Sequence, residues 1–185
     1  DGQQISYEKL LLALGTNVRR WDVPGADKKG VMHLRTLNDA KQVIAAVKTA
    51  KQAIVIGGGF IGFEMCDMLK LAGVDTALII REKYFWEPLL DEPSGRMIEA
   101  ALKKAGVKII YQTLVQEVMG QAAVAGVKLQ GGETLLADMI IVGMEPGNDE
   151  NKRCEPLVGA SGQLLNRVLK LTEVSGAFGA LEPLR

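Results

Sequence analysis

Apolar residues occur along this chain in short unbroken runs, and the stretches between the runs carry the spacing of amphipathic helices. The runs at residues 53–56, 76–80, 107–111 and 138–142 are mostly apolar, which is typical of strands buried on both faces. Between the first three runs, apolar side chains recur three and four positions apart, which predicts two helices. The order strand, helix, strand, helix, strand predicts a βαβαβ unit with a parallel sheet.

The two predicted helices cover residues 60–72 and 94–104, and a glycine follows each of them. A third helix is predicted over residues 40–49, with Asn38 or Asp39 as its N-cap. The side chains expected on the inward faces of the three helices are Val43, Ile44, Val47, Ile61, Met65, Met68, Leu69, Ala72, Met97, Ile98, Ala101 and Leu102.

The pattern changes after the third strand. Residues 113–119, 123–130 and 134–136 predict a small antiparallel meander, with glycine turns between them. With the helices and the parallel sheet, this meander predicts a three-layer α/β fold of the Rossmann-like type. Further short strands are predicted at residues 7–13, 163–165 and 177–178.

Composition narrows the function classes. The chain has 185 residues, a formal net charge of zero and 48% apolar residues, so nothing in it suggests a nucleic-acid or membrane partner. The two cysteines, Cys66 and Cys154, are far apart, which favours reduced thiols and a cytoplasmic location. With His33 as the single histidine, we identify no catalytic residues and no metal site.

A glycine-rich turn carries the clearest chemistry. Gly57, Gly59 and Gly62 form the pattern G-x-G-x-x-G between a predicted strand and a predicted helix. The first glycine permits a tight turn, the second lets a diphosphate approach the backbone, and the third lets the helix pack closely on the strand. Free amides at the helix start would hold the phosphates, whereas the alternative is a structural turn without a ligand. The turn is completed by Gly58, Phe60 and Ile61.

The end of the second predicted strand bears on which dinucleotide binds. An acidic residue there usually accepts a hydrogen bond from the ribose of NAD, but this chain has Ile80. Arg81 and Lys83 could pair with the 2′-phosphate of NADP, which favours NADPH. Alternatively, Glu82 supplies the ribose contact for NADH and the two basic residues form a solvated rim.

Four stretches in this order resemble the FAD-dependent pyridine nucleotide-disulfide oxidoreductases. They read YEKLLLALGT, VPGAD, IVIGGGFIGFEMCDMLKLAGVDTALIIRE and ADMIIVGMEPGND. The resemblance implies that an NAD(P)H-binding domain, residues 35–145, is inserted into an FAD domain represented by residues 1–34 and 146–185. It also implies that hydride passes from the nicotinamide to the flavin and on to an acceptor that the sequence does not name.

The resemblance implies roles for four residues. Phe60 would cover the nicotinamide position until the cofactor displaces it, and Glu64 would orient the nicotinamide ring. Gly143 and Pro146 match a G-x-x-P turn that leads back to the flavin domain, so Gly143 would border the nicotinamide.

The chain departs from the family pattern at both ends. No glycine turn for FAD precedes residue 57 and no Gly-Asp motif follows residue 180, and Leu14 stands where the family usually has Thr. We therefore expect a piece of a larger flavoprotein that does not hold FAD alone. The alternative is a non-catalytic dinucleotide-binding module. In the loop after Lys83, Tyr84 or Trp86 could stack on adenine, but packing against the helix at 94–104 is the favoured interpretation.

Overall fold

The computed structural model describes residues 6–11, 17–18, 21–87 and 89–143, which belong to one compact unit. The elements in chain order are β1 (Val31–Met32), α1 (Leu37–Val47), β2 (Gln52–Ile56), α2 (Phe60–Leu71), β3 (Asp75–Ile79), α3 (Glu92–Lys104), β4 (Lys108–Ile110), β5 (Val115–Met119), β6 (Gly126–Leu129), β7 (Thr134–Leu136) and β8 (Met139–Val142). The predicted strands at 163–165 and 177–178 lie outside the described residues.

Five strands form a parallel sheet in the order β1-β8-β2-β3-β4, and β5-β6-β7 form an antiparallel sheet. Alternate residues of β2 face opposite sides: Val55 packs with the helices, and Ile54 packs against the small sheet. The predicted three-layer α/β fold, with helices, parallel sheet and meander as its layers, is confirmed. The parallel strands are mostly apolar, apart from the exposed residue at the start of β2, β3 and β4, because both of their faces are covered.

The strand order creates a switch point beside β2. From β2 the chain continues through β3 and β4 to one side, whereas β8 and β1 lie on the other side. In such sheets ligands bind outside the carboxyl ends of the strands at the point where the order reverses. This point lies between the ends of β2 and β8, at Ile56 and Val142.

Two local predictions were wrong. Residues 7–11 form no strand, and Tyr7, Leu10 and Leu11 are exposed, because apolar character alone makes no strand without a partner to bond. The N-cap of α1 is Thr36, because its side chain accepts the Asp39 N–H at 3.2 Å and the Asp39 carboxylate accepts the Thr36 N–H at 2.7 Å. This reciprocal capping box starts the helix three residues earlier than predicted.

The strand β1 lies before the predicted domain boundary at residue 35 and was not predicted. Two residues are too few to show a pattern, and β1 exists because it pairs with the already buried strand β8. The turn at Pro24 also lies before residue 35, and it is bonded to strand β5, since the Pro24 carbonyl accepts the Val118 N–H at 2.9 Å. The proposed domain limits stay a prediction.

The buried face of α2 differs from the predicted one. Gly62, Met65, Cys66 and Leu69 are buried, whereas Met68 is exposed. The rotation follows from the third glycine of the turn, which packs on the Gly57 backbone directly after β2 and brings positions three, four and seven residues later to the sheet. Burial raises the pKa of the Cys66 thiol to about 12, so this group packs as an apolar side chain.

Candidate functional site

The glycine turn connects β2 to α2 at the switch point. Gly57 has φ of 95°, a backbone conformation that favours glycine, and its N–H donates to the Ile79 carbonyl at 2.9 Å. A Cβ atom on Gly62 would clash with the Gly57 carbonyl oxygen. Two of the three pattern glycines are therefore required by the local backbone itself.

Gly59 is the N-cap of α2 and supplies no side-chain hydrogen bond to the helix. The first turn of an α-helix has amides without intrahelical partners, and the helix dipole makes this end positive. The first turn of α2 also contains no acidic residue. This helix start is suited to an anion such as a phosphate, because neither a capping side chain nor a first-turn carboxylate competes for the amides.

Gly143 follows β8 and lies directly beside this turn. Its N–H donates to the Ile56 carbonyl at 2.8 Å. A Cβ atom on Gly143 would lie 3.1 Å from that oxygen and 3.4 Å from the Gly62 nitrogen. The structure thus brings together Gly143 and the glycine turn, which are about eighty residues apart in sequence.

Ile80 lies beneath the turn. Its side chain is 1% exposed, and a Cβ atom on Gly58 would lie 3.0 Å from the Ile80 Cγ2 atom. No carboxylate therefore occupies the position where this fold usually binds a ribose. Ile61 is half-buried against the same apolar core.

The rim loop, defined as residues 81–87, begins with charged side chains. The Nε atom of Arg81 lies 2.7 Å from the Glu82 Oε1 atom, with the two side chains 35% and 18% exposed. Lys83 is exposed, and its backbone N–H donates to the Glu87 carboxylate at 2.9 Å. The loop therefore presents two carboxylates, Glu82 and Glu87, and two cations, Arg81 and Lys83, near the end of β3.

Phe60 and Glu64 lie one helical turn apart on the exposed side of α2. The Phe60 side chain is 68% exposed, yet its ring centroid lies 4.6 Å from that of Trp86 in the rim loop. Trp86 also contacts Phe85 and Phe63, at centroid distances of 5.2 and 6.2 Å. An aromatic cluster thus joins the rim loop to the start of α2.

The favoured interpretation of the rim loop is supported by its contacts with α3. A Cβ atom on Gly95 would lie 2.5 Å from the Phe85 carbonyl oxygen, so the loop packs directly on this helix. The Tyr84 hydroxyl donates to the Leu90 carbonyl at 3.1 Å. Stacking of Tyr84 or Trp86 on adenine is not tested by these contacts and stays a prediction.

Sequence reasoning missed Glu99. This residue of α3 is buried and accepts hydrogen bonds from the Phe85 N–H at 2.9 Å and the Tyr111 hydroxyl at 2.8 Å. The predicted inward residue Met97 is instead 75% exposed. A glutamate in a charged helix usually faces water. Only the helical spacing of Gly95, Glu99 and Leu102, the three buried residues of α3, could have indicated that Glu99 is buried.

The opposite edge of the sheet holds a different cavity. It has a volume of about 420 Å³ and lies at the amino ends of β2, β3 and β4, where it is lined by Gln52, Asp75 and Lys108 among others.

In residues 6–11, 17–18, 21–87 and 89–143, no group of three or more metal-ligating side chains is placed to hold an ion. Within the same ranges, no helix has the length and apolarity needed to cross a membrane.

The fold and the glycine turn define a Rossmann-like α/β domain. The family model described as pyridine nucleotide-disulphide oxidoreductase matches residues 1–161, and the chain belongs to this family. Members of the family use NAD(P)H and FAD. The family resemblance predicted from the sequence is confirmed.

Individual relatives agree with this assignment. The chain is 34% identical over 142 residues to nitrite reductase [NAD(P)H] of Bacillus subtilis (strain 168), covering 76% of this chain and 18% of that protein. It is 35% identical over 151 residues to the NADH-dependent phenylglyoxylate dehydrogenase subunit epsilon of Aromatoleum evansii, covering 80% and 36%. The chain thus spans well under half the length of these relatives.

A solved structure agrees as well. In the covalent putidaredoxin reductase–putidaredoxin complex, the matching chain is 28% identical, with a TM-score of 0.70 and coverage of 80% of this chain and 37% of that chain.

Proposed function

We propose that the unit containing residues 21–143 is the NAD(P)H-binding domain of an FAD-dependent oxidoreductase. The observation that carries the proposal is the start of α2, where Gly59 leaves the first-turn amides uncapped at the switch point between β2 and β8. This arrangement suits the diphosphate of a dinucleotide, because it combines free donors, a positive helix end and room for close approach. Family membership supports the same role.

The bound nicotinamide would supply a hydride to the flavin of the whole enzyme. Phe60, exposed at the first turn of α2, would shield the nicotinamide position from water until the cofactor arrives. Glu64, one turn further along, would orient the carboxamide. Gly143 would leave the space between β8 and α2 open, since a side chain there would approach the Gly62 nitrogen.

The proposal includes a preference for NADPH over NADH. Ile80 is buried and offers no acceptor to a ribose hydroxyl, whereas Arg81 offers a cation. A partly exposed ion pair such as Arg81–Glu82 contributes at most about 1 kcal/mol. A 2′-phosphate can therefore compete with Glu82 for the guanidinium, because charge-assisted bonds to phosphate are strong.

A cytoplasmic location also stays a prediction.

Calorimetric titration of the 185-residue chain with NADPH and with NADH tests the proposal. We expect saturable binding of at least one dinucleotide, with the tighter binding for NADPH. Titration with adenosine alone is the matched control, because it lacks the diphosphate and should bind much more weakly. Millimolar or weaker affinity for both dinucleotides would contradict the proposed role.

A further inference from the structure

Glu99 is a buried carboxylate of α3 that does not belong to the glycine turn. The residue is 1% exposed, and its carboxylate lies 2.9 Å from the Arg96 guanidinium. Burial raises the pKa of Glu99, but hydrogen bonds from Arg96, Tyr111 and the Phe85 N–H outweigh it, so the pKa lies below its ordinary value. Burying a charge is costly unless it is paired and hydrogen-bonded, so these contacts account for the ionised group.

The backbone donor at Phe85 is the contact that reaches the rim loop. Phe85 is fully buried, and its N–H donates to the Glu99 Oε1 atom at 2.9 Å. An apolar residue in place of Glu99 would leave this donor buried without an acceptor, which is unfavourable. The carboxylate therefore fixes the path of the loop from inside the core.

The next residue, Trp86, has two unfavourable features. Its φ is 63°, in the left-handed region that a bulky L-residue rarely adopts. Its indole N–H is buried, and it has no hydrogen-bond partner in the part of the chain that the structure describes. Such features persist only where the surroundings fix the backbone. Since the indole forms no hydrogen bond, its position depends on packing and on the anchored backbone at Phe85.

We propose that Glu99 is a positioning residue which, through the Phe85 backbone, holds Trp86 against Phe60 at the start of the dinucleotide site. The 4.6 Å separation of the Trp86 and Phe60 ring centroids completes the connection from α3 to α2. The role at the dinucleotide site rests on the proposed function, whereas the effect on Trp86 does not.

Two substitutions distinguish the effect of the side-chain length of Glu99 from the effect of its charge. Glu99→Gln keeps an oxygen at the same distance from the Phe85 N–H but removes the charge. Glu99→Asp keeps the charge but shortens the side chain by one methylene, so it loses this contact. Tyr111→Phe is the matched control, because it removes a different hydrogen bond to Glu99. All variants carry Trp21→Phe, which leaves Trp86 as the only tryptophan.

We measure tryptophan emission, acrylamide quenching and the dissociation constants for NADPH and NADH, at a temperature where circular dichroism shows every variant folded. We expect Glu99→Asp to shift the emission to longer wavelength, increase quenching and weaken both dinucleotides about tenfold, the effect of losing a hydrogen bond to a charged group. Glu99→Gln and Tyr111→Phe should stay within about threefold of the parent.

The proposal would be overturned if Glu99→Asp matched the parent while Glu99→Gln shifted the emission and weakened binding. The charge of the side chain, and not its length, would then matter. Unchanged emission and affinity in every variant would also overturn it and leave Glu99 a stability element. If the Asp variant does not fold, a shifted emission of the Gln variant still contradicts the proposal, and a parent-like emission supports it. If the parent binds neither dinucleotide, the proposed function fails, while Trp86 emission still decides the positioning role.

Discussion

The glycine turn and the rim loop lie next to each other but meet opposite structural demands. At the turn, side chains must be absent, since a Cβ atom on Gly62 would strike the Gly57 carbonyl oxygen. The rim loop depends instead on specific side chains: Glu99 of α3 holds the Phe85 backbone, and Arg81 pairs with Glu82.

The difference separates two properties of a dinucleotide site. In the proposed site, backbone amides would bind a diphosphate whichever nucleotide carries it, so the turn would determine whether a dinucleotide binds. Residues 81–83, at the end of β3, would contact the part in which NADH and NADPH differ, so they would determine which one binds. Substitutions in the turn should therefore affect both cofactors equally, and those at residues 81–83 should discriminate between them.

The largest effect is expected for Gly62→Ala. The added methyl group must displace the backbone of β2 or α2, so we expect a loss of about 2–3 kcal/mol in the free energy of unfolding and loss of both dinucleotides. Urea denaturation and calorimetry measure the two effects. Gly131→Ala is the control, because nothing lies within 4 Å of its added Cβ. Full affinity in the Gly62 variant would show that the close approach is not required.

Arg81→Ala should come next. We expect NADPH binding to weaken by about 1–3 kcal/mol, the range of a charge-assisted pair, and NADH binding to change little. Titration of both cofactors measures the difference, and Lys108→Ala, which removes a cation at the opposite edge of the sheet, is the control. Equal losses for the two cofactors would exclude the 2′-phosphate assignment.

Gly143→Ala should weaken both dinucleotides by about 1 kcal/mol, because the added methyl group would narrow the space between β8 and α2. The same titrations measure this change. A selective effect on one cofactor would contradict the division between turn and rim loop.

The smallest effect is expected for Glu82→Gln. Removing the carboxylate ends the partly exposed Arg81–Glu82 pair, so NADPH should bind more tightly by less than about 1 kcal/mol. If Glu82 instead accepts the ribose hydroxyl of NADH, the substitution weakens NADH selectively, and the ratio of the two dissociation constants distinguishes these outcomes.

The fold was predictable where one physical demand dominates the sequence. A strand such as Met139–Val142 is apolar at every position because both faces are buried, and a three-glycine turn has few other uses between a strand and a helix. The Thr36 cap and the strand Val31–Met32 were missed because they depend on a reciprocal side-chain bond and on pairing with a distant strand.

Part of the candidate site was predictable from the sequence, and part was not. The glycine turn follows from a motif between a strand and a helix, and the family resemblance led us to expect Gly143 at the same site. The contact from Glu99 to Phe85 joins two positions fourteen residues apart whose identities carry no local signal. The aromatic cluster around Trp86 likewise arises from a left-handed backbone that no pattern of apolar residues indicates.

Backbone amide chemical shifts of the 185-residue chain, followed during titration with NADPH, test most directly whether the turn holds the dinucleotide. We expect the largest chemical-shift changes at Gly57–Gly62 and Gly143 with both NADPH and NADH. In residues 81–83, we expect changes that differ between the two cofactors. Changes centred on the opposite sheet edge, at Gln52, Asp75 and Lys108, with none at the glycine turn, would contradict it.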